Sequence, residues 1–201
     1  MSIGDESVRG PADTVEPPEL FTGNIRVGTR LAASATLFVF FCPFFAYFYL
    51  RTLNTAGMWR PAGLSPPAGF GIAIMVLFAG SSALLAVAAY SGRLRGWRTL
   101  VAGSLALGVA GVVLQIVEYA HLGFGPSDGG YASVFVAWTA LTAVVALVVM
   151  LWLETLLAFG LRHHEIPAWV LRPRLAGLAF YWTFVVALSF VMWVVLYLLG
   201  S

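Results

Sequence analysis

Residues 31–50 read LAASATLFVFFCPFFAYFYL, twenty residues without a charge, closed by Arg30 on one side and Arg51 on the other. An α-helix rises about 1.5 Å per residue, so this stretch matches the roughly 30 Å hydrocarbon core of a bilayer. Four more stretches share its character: residues 70–90, 100–117, 132–153 and 175–199. None alternates apolar and polar side chains with period 2, so helices are read rather than a membrane barrel. The sequence predicts an all-α, polytopic membrane protein with five transmembrane helices.

Composition leads to the same solvent. Of 201 residues, 60 % are apolar and 10 % charged, with a mean hydropathy of +0.90. Soluble domains carry about 25 % charged residues, and a compact body this small cannot hide so much apolar side chain from water. Aromatics at 14 % with little charge exclude a disordered chain as well. All eleven basic residues are Arg; scattered over the connections, they form no nucleic-acid footprint. Cys42 is the single cysteine, so no intramolecular disulfide is expected.

The segment before the first span is different. Residues 1–29 hold Asp5, Glu6, Arg9, Asp13, Glu16 and Glu19 with Pro11, Pro17 and Pro18, and read as a polar, mobile tail ahead of a five-helix domain at 30–201. They lack the basic start and short apolar core of a secretory signal. Cytoplasmic loops retain positive charge. Arg9, Arg26, Arg30, Arg93, Arg95, Arg98, Arg162, Arg172 and Arg174 fall on one side of the five spans, Arg51 and Arg60 on the other. The expected topology has the N-terminus cytoplasmic and the C-terminus outside.

In lipid, helices associate through close backbone approach at small residues. Ala102, Ala106 and Ala110, with Ser104 and Gly108 beside them, make such a stripe and are the expected helix–helix contact. Pro43 sits inside the first span, where it removes one backbone hydrogen bond and is expected to bend the axis.

Residues able to carry chemistry are few. Haem or metal ligation needs His, Cys, Met or carboxylates projecting from facing helices. His121 falls at a span end, and His163 and His164 lie together in a loop beside Glu165, where adjacent side chains point apart. No metal site, catalytic residue or redox centre is read from these. Ionisable residues inside spans default to function, which singles out Glu118 and then Glu154. Glu118 and Arg51 end their spans on the same side, so an ion pair between them is within reach. Trp59, Trp97 and Trp169 fall near span ends, as an aromatic belt places them. Chemistry is therefore expected from a partner rather than from this chain.

Several strings now carry a resemblance. Phe40-Phe41, Phe44, Ala46-Tyr47-Phe48 and Arg51 look like an aromatic helix closing on Tyr-Phe-x-x-Arg; Trp59 with Pro61, Pro66 and Pro67 follows it. Gln115-Ile116-Val117-Glu118-Tyr119 is similar to a Gln-x-x-Glu-Tyr motif, Tyr131-Ala132-Ser133-Val134-Phe135 to a Tyr-Gly-Ser-Val-Phe entry, and Tyr181-Trp182 with Phe184-Val185 to Tyr-Trp-His-Phe-Val. Together they resemble subunit III of haem–copper oxidases, in the short five-helix bacterial form of cytochrome c oxidase. The chain departs from that family by losing polarity: Thr36 stands where a buried Glu is usual, Thr142 and Val145 for two His, Thr183 and Val186 for His and Asp.

The resemblance implies a subunit III-like bundle in a bacterial plasma membrane, acting as a non-catalytic accessory subunit. It would pack on catalytic subunit I, with subunit II in the same complex, and hold phospholipid. It binds no cofactor itself; haem and copper belong to the partner. Glu118, Arg51, Thr36, Gln115 and Tyr119 are the candidate intramembrane polar residues, and Tyr47 and Trp182 the candidates for lipid or subunit contact. Two other readings are an accessory subunit of a nitric oxide reductase and a stand-alone membrane transporter or assembly factor. Against the last stand the missing internal repeat and the missing polar midplane cluster.

Overall fold

The computed structural model describes residues 17–54, 57, 59–61, 64–91, 94–163 and 166–199. Among them run five helices: α1 (Pro18–Thr52), α2 (Ala68–Tyr90), α3 (Trp97–His121), α4 (Gly130–Arg162) and α5 (Ala168–Trp193). A π-helical turn, Val194–Leu198, continues α5. Each helix is long and apolar enough to cross a membrane.

Proline or glycine precedes every helix. Pro17, Pro67 and Pro167 occupy the positions before α1, α2 and α5. Proline forgoes only a backbone N–H that a helix start leaves unpaired anyway. Gly96 (φ 84°) and Gly129 (φ 142°) stand before α3 and α4, in backbone conformations open to glycine. All five helices begin before the apolar stretches that announce them. The largest difference is in α1, which starts at Pro18 rather than near residue 31, so the polar stretch expected as tail up to residue 29 is helical from Pro18 on. Hydropathy marks what lipid covers, whereas the helix continues until its capping signal. Residues 1–16, with Arg9 and the acidic residues Asp5 to Glu16, lie outside the described residues, as do Arg93, His164 and Glu165. Pro43 lies inside the uninterrupted α1.

Ring contacts and hydrogen bonds sort the helix ends into two levels. At one level Trp59 packs edge-on against Tyr47 and Tyr131, Phe70 stacks on His121, and Arg51 donates to the Leu199 carbonyl. At the other, Phe21 packs on Trp169 and Arg98 donates to the His163 carbonyl. Successive helices therefore run in alternating directions. Arg26, Arg30, Arg95, Arg98, Arg162, Arg172 and Arg174 share the second level, Arg51 and Arg60 the first. The helices close into a ring in which α5 stands between α1 and α2, α2 meets α3, α3 meets α4, and α4 returns to α1. Consecutive α1 and α2 barely touch.

The face that α3 buries differs from the expected stripe. Ala106 and Ala110 are exposed and Ala102 is half-buried. The buried face runs through Val101, Ser104, Gly108, Gly111, Gln115 and Glu118, alternating steps of three and four as a helix seam does. A strict four-residue step rotates about 40° per repeat and leaves that seam. A Cβ on Gly108 would collide with the Met150 side chain of α4, and one on Gly111 would lie 2.5 Å from the Phe78 ring of α2. Gly108 thus lies in the contact, while Ala106 and Ala110 turn away from it.

Candidate functional site

Glu118 is fully buried, a carboxyl closed inside the bundle near the arginine-poor level. Gln115, one turn earlier on α3, donates its Nε2 to Glu118 Oε2 at 2.6 Å. Tyr197, in the π-helical turn after α5, donates its hydroxyl to Oε1 at 2.5 Å. The ion pair with Arg51 does not form. Arg51 is exposed, and its guanidinium instead donates to the Leu199 carbonyl at 3.0 Å and to the Tyr47 hydroxyl at 3.4 Å. Tyr131, from α4, donates to the Leu196 carbonyl at 2.8 Å. Side chains of α1, α3 and α4 therefore converge on the last turn of the chain's helical part. Tyr119, beside Glu118 in sequence, turns to α4 and donates to Thr139 Oγ1 at 2.9 Å.

Deeper in the bundle the interior is held by hydroxyls. Ser81 of α2 and Ser104 of α3 exchange bonds, each Oγ donating to the other's backbone carbonyl, at 2.7 and 2.8 Å. Trp182 Nε1 donates to Ser81 Oγ at 3.0 Å. Ser82 pairs with Thr183 at 2.9 Å, and Thr36 with the Tyr181 hydroxyl at 2.8 Å. Thr142 bonds its own helix at Trp138 O and lies 3.2 Å from Met192 Sδ. Neutral, mutually satisfied groups of this kind hold helices together without burying charge. Thr36, Thr142 and Thr183, the positions at which the resemblance implied ionisable residues, are among them. Trp182 in this network, and Tyr47 against Trp59 and Arg51, are both fully buried, so neither presents a surface to lipid or another subunit.

Three other ionisable side chains behave differently. Glu154 is exposed on α4. His121 is exposed, with Nδ1 at 2.8 Å from the Val117 carbonyl; His163 is exposed beside the Phe159 ring. No group of three or more His, Cys, Asp or Glu side chains comes together among the described residues.

A feature not read from the sequence lies at the arginine-rich level, on both sides of α1. One cavity, of about 210 Å³, is bounded by Arg26, Thr29 and Arg30 of α1, Tyr90 of α2 and Gly177 of α5. The second, of about 480 Å³, is bounded by Thr29, by Trp152, Thr155 and Phe159 of α4, and by Arg174 of α5. The Arg174 guanidinium lies 4.9 Å from the Phe159 ring centre and 5.5 Å from that of Phe21. A planar guanidinium at the mouth of an apolar space suits a phosphate oxygen with a hydrocarbon chain behind it. The available signal was Arg26 and Arg30 four residues apart, on one helix face; the sequence reading used them only for sidedness.

Residues 18–201, covering all five helices, match the family model for cytochrome c oxidase subunit III. The chain belongs to that family. No curated protein matches it individually. As a subunit III, it is a multi-pass membrane protein whose family associates with the other subunits of haem–copper oxidases, and subunits of this family generally carry no redox cofactor of their own. The five-helix bundle is the expected subunit III-like fold.

Proposed function

We propose that this subunit III is the non-catalytic accessory subunit of a bacterial haem–copper terminal oxidase, packing on the catalytic subunit and holding phospholipid at its arginine-rich end. Haem and copper belong to that partner, and the complex stands in the plasma membrane with this chain's N-terminus cytoplasmic. The family match across every helix carries the reading. The buried hydroxyl networks support a scaffold role, because a bundle tied by satisfied neutral groups keeps its shape without titrating. The two cavities support the lipid role: Arg26, Arg30 and Arg174 offer charge-assisted donors at the level where lipid headgroups lie, and the wall of the larger cavity is mostly apolar.

Extraction of native membranes in mild detergent, capture of the tagged chain and a reduced-minus-oxidised spectrum test this directly. The expected result is haem bands with larger co-eluting subunits. A single polypeptide without haem rejects the reading. Mass spectrometry of lipid retained by the Arg26→Ala, Arg30→Ala, Arg174→Ala variant tests the second half; lipid content equal to the parent complex rejects it.

A further inference from the structure

We infer that Arg174 is the anion-binding fork of the larger cavity, and that it selects a phospholipid of net negative charge whose headgroup carries hydroxyls rather than an ammonium. The inference rests on the lipid-holding half of the reading above and adds to it the lipid class and the residue that chooses it.

Arg51, Arg60 and Arg98 each donate to a backbone carbonyl of this chain. Arg174 is half-buried, yet no hydrogen bond or ion pair reaches its guanidinium among the described residues. Its neighbours are two rings, Phe159 at 4.9 Å and Phe21 at 5.5 Å from the guanidinium carbon. Ring faces attract the cation but offer its N–H groups no oxygen. They hold a planar group from two helices, α1 and α4, and so limit how it can turn. A charge taken partly out of water calls for a counter-charge, and a fixed planar fork suits two oxygens of one anion.

The cavity beside this fork decides what carries the anion. At about 480 Å³ it lies within the range of ligand pockets, about 300–1,000 Å³. Trp152, Leu156 and Leu178 give it an apolar wall, which a free phosphate would leave uncovered and a hydrocarbon chain would cover. No carboxylate lines it. The hydroxyls of Thr29 and Thr155 already donate to carbonyls of their own helices, so each has lone pairs left to accept from a headgroup hydroxyl. Around the site, seven described arginines share this level with two described carboxylates, Glu19 and Glu154, both exposed. A zwitterionic lipid brings its phosphate together with an ammonium that this excess of cations repels. An anionic lipid brings the phosphate alone.

The test uses the whole complex, captured through a tag on its haem-binding subunit. The complex is washed in detergent holding equal amounts of phosphatidylglycerol and phosphatidylethanolamine with the same acyl chains. Lipid retained per haem is then read by mass spectrometry. The parent should be enriched in phosphatidylglycerol, and Arg174→Gln should lower that enrichment about fivefold. Arg174→Lys, which keeps the charge but not the fork, should fall between them. Arg95→Gln, at the same level but bordering neither cavity, should match the parent. Should Arg174→Gln fail to assemble, phosphatidylglycerol with a photoreactive headgroup, added to the parent complex, gives an independent readout. It should attach near Phe21, Thr155 or Phe159, and inorganic phosphate should not displace it. Equal retention of the two lipids by the parent, parent-like enrichment in Arg174→Gln, attachment elsewhere, or displacement by inorganic phosphate overturns the inference and leaves lipid holding intact. A parent complex that retains neither lipid overturns the lipid-holding reading and this inference with it.

Discussion

Glu118 shows how a carboxyl lives inside a bundle: two donors close on it, Gln115 from its own helix and Tyr197 from the last turn of the fold. Removing a buried donor exposes its acceptor to the full desolvation penalty, about 1–3 kcal/mol. Tyr197→Phe should therefore lower the stability of the purified complex by that amount, read as a drop in its thermal or detergent-unfolding midpoint. Tyr119→Phe is the matched comparison. Thr139, which accepts from Tyr119, keeps its own donation to the Phe135 carbonyl, so the expected loss is below about 1 kcal/mol. Equal losses in the two variants would contradict the assignment of Tyr197 as the anchor of Glu118. Glu118 stood out in the sequence because a lone acid inside a span is costly, and Gln115 at i−3 was legible as its neighbour. Arg51 is within reach by sequence because both end spans on the same side, but its guanidinium goes to Leu199 and Tyr47 instead. Tyr197 lies in a π-helical turn, whose i→i+5 bonding shifts side-chain directions from those an α-helix gives, and no periodicity argument yields that.

The helices themselves were largely legible, since five uncharged apolar stretches admit no other element in a bilayer. Their ends were not, because lipid coverage and helix termination are set by different residues. Faces were harder still. In apolar spans every side of a helix looks alike, so the α3 seam is decided by which small residues meet something large. Gly160 and Gly108 separate two cases. A Cβ at Gly160 would strike the ring of Trp97, and one at Gly108 the end of Met150. Indole is rigid and wedged, while a thioether has three rotatable bonds with which to withdraw. Gly160→Ala should cost about 1–3 kcal/mol and Gly108→Ala less, both measured as unfolding midpoints of the complex. Trp97→Phe should recover part of the loss in the Gly160→Ala background and none in that of Gly108→Ala. Recovery in both would mean that a general loosening, rather than the local collision, sets the cost.

For the whole molecule, the arginine count along the chain became a property of two levels: seven of the described arginines meet at one end of the bundle and Arg51 with Arg60 at the other. Under the proposed orientation the α3–α4 connection faces outward. In a Cys42→Ser background, Ser127→Cys should react in intact cells with a membrane-impermeant thiol reagent, and Ser91→Cys only after permeabilisation; the inverse pattern would reverse the orientation. What the sequence could not reveal at this scale is the order of helices around the ring, because apolar spans carry no address for their neighbours. That order has a consequence for biogenesis. Translation delivers α1 and α2 first, yet the finished ring keeps them apart and seats α5 between them. Until the fifth span arrives, Thr36 and Ser82 wait for Tyr181 and Thr183, and Ser81 for the indole of Trp182. Ring closure is thus a lateral event within the membrane that follows insertion, and the time during which the first two spans stand open is the interval in which a nascent chain of this kind is exposed to mispairing and to quality-control proteases.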